Sequence, residues 1–164
     1  MSGIAEIMKN LGYKVTGSDQ QKNSNVLRLK KLGVKIFIGH NSNNVENASL
    51  VVFSSAISKN NSEIKRAIKL NIPVISRSEM LKELMRVKST ITVAGSHGKT
   101  TTVSLIAEIL DKAKLDPTVI NGGIINSYGS NTKLGKSDLM LVETDESDGS
   151  FSLLPSFGGV ITSI

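Results

Sequence analysis

A chain of 164 residues is long enough for one ordinary domain or for parts of two small ones. With 39% apolar and 21% charged residues, no cysteine and no run of about eighteen apolar residues, it reads as a soluble globular protein, which excludes disulfides, thiolate metal sites and a membrane-spanning helix. The net charge of +6 is uneven, with 15 Lys/Arg against 6 Asp/Glu in residues 1–88 and 5 against 8 in residues 89–164. Lys30, Lys31, Lys65, Arg66 and Lys69 are scattered through helical patterns, as on a solvated face or beside a phosphate-bearing small molecule. Two Tyr, four Phe and no Trp leave no aromatic platform for a single strand, so no nucleic acid is expected as a partner. Met1-Ser2-Gly3-Ile4-Ala5-Glu6 lacks the basic and apolar regions of a signal peptide, so a cytoplasmic location without a membrane partner is expected.

Strand and helix patterns alternate, which predicts an α/β fold with parallel sheets. Ile4, Ile7, Met8 and Leu11 recur at helical spacing and Gly12 stops the helix. Residues 13–19 read as a strand ending in the polar turn Gly17-Ser18-Asp19. Leu27, Leu29 and Leu32 predict a short helix closed by Gly33, followed by a strand over 34–38 with His40 in the loop after it. Leu50-Val51-Val52-Phe53 is a buried strand with Ser54-Ser55-Ala56-Ile57 at its end. Residues 61–70 read as helical, 73–76 as extended and 78–87 as helical again, with a boundary near 86–89.

The pattern then restarts with the β-branched run Ile91-Thr92-Val93-Ala94, followed by Gly95-Ser96-His97-Gly98-Lys99-Thr100-Thr101-Thr102 and a helix to about Lys112. A strand, a glycine turn and Gly-Lys-Thr at a helix start cradle a nucleotide triphosphate: backbone N–H groups and the helix dipole meet the phosphates. Lys99 is placed to reach the β/γ-phosphates and Thr100 to offer its hydroxyl to Mg²⁺. The loop is shorter than the standard phosphate loop, since Val93 stands five residues before Gly98. Pro117-Thr118-Val119-Ile120 begins another strand, and Asn121-Gly122-Gly123 and Asn126-Ser127-Tyr128-Gly129 read as a glycine-rich connection. Leu139-Met140-Leu141-Val142 is a buried strand that ends in Glu143-Thr144-Asp145-Glu146-Ser147-Asp148, and residues 159–164 read as one more strand.

In open α/β sheets ligands sit at the carboxyl ends of strands, where the phosphate loop, Asn121–Gly123 and the acidic run all fall. The acidic run is a solvated loop when taken alone. Some forty residues after a phosphate loop, it supplies the carboxylate oxygens that a phosphate-bridging metal needs. Asp19 is either a ribose-binding carboxylate or an ordinary turn aspartate. His40 and His97 read as structural or exposed rather than as proton-transfer groups.

With these motifs in place the chain resembles the Mur ligases, collinearly from Met1 to Ile164. The resemblance rests on Met1–Glu6, Gly17-Ser18-Asp19, Ser54-Ser55-Ala56-Ile57, Arg77-Ser78-Glu79-Met80-Leu81, Gly95–Thr102 and Glu143–Asp148. It implies three domains. Residues 1–88 would be most of a Rossmann-like UDP-sugar-binding domain, and 89–164 the opening of a central P-loop α/β ATPase domain. The family pattern sets a strand and a Gly-x-Gly-x-x-Gly turn ahead of Met-Ser-Gly, and an amino-acid domain beyond Ile164. On that pattern the chain alone is expected to be poorly stable and not to complete the reaction.

The activity implied is ATP-dependent ligation in peptidoglycan synthesis, and so in cell shape and division. The carboxylate of UDP-N-acetylmuramate is phosphorylated to an acyl phosphate, which the amine of L-alanine attacks. The resemblance gives Lys99 and Glu143 catalytic roles, and ATP binding to Gly95, Ser96, His97, Gly98, Lys99, Thr100 and Thr101. Thr100 and Glu143 would hold Mg²⁺. Asp19, Ser54, Ser55, Asn121, Gly122, Asp145 and Glu146 would bind the UDP-sugar. A sister activity, recycling a murein tripeptide onto the same nucleotide sugar, is the alternative, and Ser147 favours alanine. A non-catalytic nucleotide-binding remnant is a second.

Overall fold

A computed structural model describes residues 1–144 and 155–163. It divides into two compact units, Met1–Leu81 and Lys82–Ile164. Among the described residues no helix is long and apolar enough to cross a membrane.

The first unit opens with α1 (Ser2–Asn10), β1 (Thr16–Asp19), α2 (Ser24–Lys31) and β2 (Lys35–Ile38). A 3₁₀ turn (Ser42–Val45), β3 (Val51–Phe53), α3 (Ser62–Lys69) and β4 (Val74–Ser76) follow, and α4 (Arg77–Arg86) spans the division. β1 pairs in parallel with β2, and β3 with β4, each pair joined by the helix between its strands. Apolar spacing sets the helical faces: Ile4 and Ile7 of α1, Val26 and Leu29 of α2, and Ile64 and Ala67 of α3 are buried. Leu27 and Leu32, whose spacing with Leu29 predicts the helix, are exposed, because the buried stripe on α2 runs through Val26 and Leu29. Asn23 caps α2 and Asn61 caps α3, their side-chain oxygens accepting first-turn N–H groups.

The second unit holds β5 (Ser89–Ala94), α5 (Lys99–Lys112), β6 (Thr118–Ile125), β7 (Ser130–Lys133), β8 (Leu139–Glu143) and β9 (Gly158–Ile161). They form one sheet in the order β7-β6-β8-β5-β9, parallel except for the edge strand β7. Val93, Val103, Ala107, Val119, Ile125 and Leu141 build its core, with α5 laid on the sheet. The residues expected as a connection, Asn121-Gly122-Gly123, lie inside β6, and the register with β7 shifts between Ile120 and Ile125. Two glycines in a β-branched stretch give the bend that a register shift needs. β7 was not expected from its sequence, Ser130-Asn131-Thr132-Lys133, which has no apolar alternation.

The tip of the β6–β7 hairpin is tied to the end of α5. The Tyr128 hydroxyl donates to Asp111 Oδ2 at 2.6 Å, and the Lys133 ammonium bridges Asp111 and Asp116. Burial and the neighbouring Asp111 carboxylate push the Tyr128 hydroxyl's pKa up, keeping it a donor.

Candidate functional site

β5 stops at Ala94 and the chain turns through Gly95 (φ +130°) and Gly98 (φ +80°) into α5. Both values lie where glycine is favoured, and Gly98 is the N-cap of α5 without a side-chain cap. An uncapped helix start of this kind suits an anion, because its first N–H groups and its dipole face outward. The loop is backed by the segment after β9. Thr162 Oγ1 donates to His97 O at 2.6 Å, Ser163 Oγ accepts the His97 N–H at 2.9 Å, and Ser163 O accepts the Ser96 N–H at 3.4 Å. Two of the loop's N–H groups are therefore paired with protein atoms, and a phosphate would have to exchange with them. Ser96, His97 and Thr101 are exposed.

A Cβ on Gly95 would lie 2.4 Å from Thr162 Oγ1 and 2.8 Å from Ser163 N. Gly95→Ala is expected to destabilise the second unit by about 2–4 kcal/mol, from the positive φ and the clash together. Urea unfolding followed on a second-unit probe measures this, and an unchanged midpoint would refute it.

Lys99 is the first residue of α5, and its ammonium donates to Gly95 O at 2.5 Å, lying back across the loop. Thr100 Oγ1 donates to Glu143 Oε2 at 3.0 Å. The same carboxylate oxygen accepts the Gly122 N–H at 2.9 Å. Three elements thus converge: the start of α5, the end of β8 and the bend of β6. Both glycines of the bend serve this approach. A Cβ on Gly122 would stand 3.0 Å from Glu143 Oε1, and one on Gly123 3.0 Å from Thr100 Cγ2.

Next to them Asn121 is buried, and neither its amide nitrogen nor its oxygen has a hydrogen-bond partner among the described residues. A buried amide without partners calls for a water or a ligand. Thr144 donates its N–H and its hydroxyl to Val93 O at 3.0 and 3.2 Å, fixing the end of β8 beside β5. Asp145 and Glu146 lie outside the described residues.

In the first unit Asp19 ends β1. Its Oδ1 accepts the Gln21 N–H at 3.1 Å and its Oδ2 the Asn23 amide at 3.3 Å. Ser54 and Ser55 follow β3, where the Ser54 carbonyl closes a turn by accepting the Ile57 N–H at 2.9 Å.

Sequence reasoning missed Glu63, which is buried on α3. Its Oε2 accepts the Ser18 hydroxyl at 2.7 Å and faces His40 Nδ1 at 3.1 Å. Its Oε1 accepts the Asn44 amide at 2.7 Å and the Asn41 N–H at 3.4 Å. Burial works to raise its pKa, but the bonds from Ser18, Asn44, His40 and Asn41 outweigh burial and hold the carboxyl below the ordinary glutamate range. The local sequence Asn61-Ser62-Glu63 signals only a helix start.

Among the described residues no three His, Cys, Asp or Glu side chains are grouped to hold a metal. The donor pair Thr100–Glu143 does fit Mg²⁺. Both are hard oxygen ligands at a helix start, and a phosphate-bound Mg²⁺ takes one or two protein oxygens, with phosphates and water supplying the rest.

The fold is of the α/β class, whose parallel strands gather polar residues at their carboxyl ends, where such sheets bind ligands. A family model described as Mur ligase family, catalytic domain, matches residues 1–89, and the chain belongs to the Mur ligase family. It is 57% identical over all 164 residues to the UDP-N-acetylmuramate–L-alanine ligase of Methylorubrum populi, covering 35% of that protein. The corresponding protein of Paramagnetospirillum magneticum is also 57% identical, with 34% of it covered. The chain thus spans about a third of the length of these curated relatives. The crystal structure of UDP-N-acetylmuramate-alanine ligase from Thermotoga maritima superposes with a TM-score of 0.88 at 31% identity, over 99% of this chain and 39% of that one. A Neisseria ligase that joins UDP-N-acetylmuramate to L-alanyl-γ-D-glutamyl-meso-diaminopimelate superposes at 0.86 and 26% identity, over 99% and 56%.

Proposed function

We propose that this chain is the nucleotide-sugar-binding and phosphate-loop part of an ATP-dependent ligase that joins L-alanine to UDP-N-acetylmuramate in the cytoplasm. The observation that carries this reading is the convergence of Thr100, Glu143 and Gly122 at the head of the phosphate-loop helix. The relatives at 57% identity, named for alanine ligation, support alanine over a tripeptide as the amine.

In this reading residues 1–88 hold the UDP-sugar through Asp19, Ser54 and Ser55. Residues 89–164 hold ATP through Gly95–Thr101, and Asn121 and Gly122 face the sugar substrate. Thr100 and Glu143 would hold Mg²⁺, which when bound neutralises phosphate charge. The γ-phosphoryl group passes to the lactyl carboxylate and ADP leaves. The alanine nitrogen then attacks the acyl carbon, phosphate departs and the amine loses a proton. Lys99 stabilises the negative charge that moves with the phosphoryl group. The amide of Asn121, unpartnered among the described residues, offers both a donor and an acceptor to a sugar substituent.

Calorimetric titration of the chain with ATP, with and without Mg²⁺, and with UDP-N-acetylmuramate tests the reading. Separate saturable sites for the two nucleotides, with ATP binding tightened by Mg²⁺, are expected. Binding of neither would overturn the reading.

A further inference from the structure

A buried carboxylate costs stability unless donors fill its lone pairs, and an apolar side chain would often serve packing as well or better. Among the described residues no Lys or Arg pairs with Glu63; its Oε2 faces the His40 ring instead. Its donors come from three separate segments: Ser18 at the end of β1, His40 and Asn41 after β2, and Asn44 in the 3₁₀ turn. A single carboxylate on α3 therefore ties together the loops at the carboxyl ends of two adjacent parallel strands, where α/β sheets bind ligands.

The chemistry also fixes the ring of His40. An ionised carboxylate can only accept, and the Ser18 hydroxyl already donates to it. Ser18 Oγ, at 3.1 Å, and Glu63 Oε2 therefore both face His40 Nδ1 as acceptors, and Nδ1 carries the proton. When the ring is neutral, Nε2 is then a bare acceptor; it is buried and has no hydrogen-bond partner among the described residues. Ser18 in turn is bonded in sequence to Asp19, whose carboxylate stands at the end of β1.

The geometry points to Glu63 as the positioning residue of the first unit's nucleotide-sugar site, acting through Ser18 and His40: it holds the β1 end in place for Asp19 and locks His40 with Nδ1 protonated. This rests on the reading that the first unit binds a UDP-sugar.

The test compares wild type, Glu63→Gln, Ser18→Ala and Asp19→Asn in the whole chain. UDP-N-acetylmuramate is titrated by calorimetry, and imidazole ¹⁵N NMR is recorded; the chain has two histidines, so His40 is assigned against a His97→Gln sample. Glu63→Gln keeps the length but loses the charge, and its NH₂ group meets donors. It is expected to weaken UDP-sugar binding about tenfold or more, leave Mg·ATP binding unchanged, and turn the Nδ1-protonated signal of His40 into a tautomer mixture. Ser18→Ala, which leaves Glu63 its other donors, is expected to weaken binding to a similar degree and serves if Glu63→Gln fails to fold.

Binding by Glu63→Gln, or by Ser18→Ala in its place, within twofold of wild type would overturn the proposal. So would weaker binding by Glu63→Gln with the His40 tautomer unmoved, which marks a role in stability alone. Wild type that does not bind the UDP-sugar, or that binds it no better than Asp19→Asn, overturns the underlying reading instead, and the proposal falls with it.

Discussion

Lys99→Ala is expected to weaken binding of Mg·ATP by the chain about 100-fold and to leave UDP-N-acetylmuramate binding unchanged. A charge-assisted hydrogen bond to an anion is worth about 1.5–3 kcal/mol, and the upper half of that range corresponds to the expected factor. The lysine is the first residue of α5, with its ammonium over the loop on Gly95 O at 2.5 Å. The contact with Gly95 O is internal to the loop. Lys99→Met, which keeps the length and apolar stem, is expected to match Lys99→Ala, whereas a packing role would separate them. In the complete reaction negative charge builds on the β–γ bridging oxygen as the phosphoryl group leaves, more than ATP carries there in its ground state. Turnover is therefore expected to fall further than affinity. Equal ATP affinities of wild type and Lys99→Ala would remove Lys99 from the site.

Helices and buried strands were legible where one apolar period dominated. The expected helix from Lys99 to about Lys112 matches α5, because Gly98 fixes its start and Val103 and Ala107 mark one buried face. β8 was legible for a different reason. Leu139-Met140-Leu141-Val142 is apolar without alternation, as a strand covered on both faces must be. β7 was not legible, since its four residues carry little apolar signal and it pairs through its backbone at the sheet edge. The Asn121-Gly122-Gly123 stretch shows what composition hides. Two glycines signal a loop, yet here they form the part of a strand that must lack side chains so that Glu143 and Thr100 can approach.

The candidate site divides in the same way. Gly95–Thr101 is a local motif, so the sequence displays it whole. The pairing of Thr100 with Glu143 joins residues roughly forty positions apart, and it was legible only because both fall at strand or helix ends that α/β topology brings to one edge. Glu63 had no such signal. It sits two residues after an N-capping asparagine, where an acidic side chain ordinarily serves the helix dipole, and nothing local shows that Ser18, His40 and Asn44 close over it. Thr162 and Ser163 were missed likewise, since their bonds to His97 span more than sixty residues.

Glu143→Gln is expected to abolish most of the Mg²⁺ dependence of ATP binding, on the order of 100-fold, while the fold holds. The carboxylate does two things: it accepts from the Thr100 hydroxyl and the Gly122 N–H, and it brings negative charge to the head of α5. Glutamine keeps an oxygen of the same reach, so the two donors retain an acceptor, but it offers a divalent cation a neutral ligand. Glu143→Ala removes both functions; the Gly122 N–H it leaves is exposed and is met by water, so the stability cost in addition is small. The pair of variants therefore separates charge from architecture. Thr100→Val adds a further check: on the proposal that hydroxyl and carboxylate serve one ion, the double variant is expected to lose less Mg²⁺ dependence than the two single losses combined. The measurement is the ratio of ATP affinities with Mg²⁺ and with a chelator. A ratio in Glu143→Gln equal to that of wild type would mean that the cation is held elsewhere and that Glu143 only ties β6 and α5 to the end of β8.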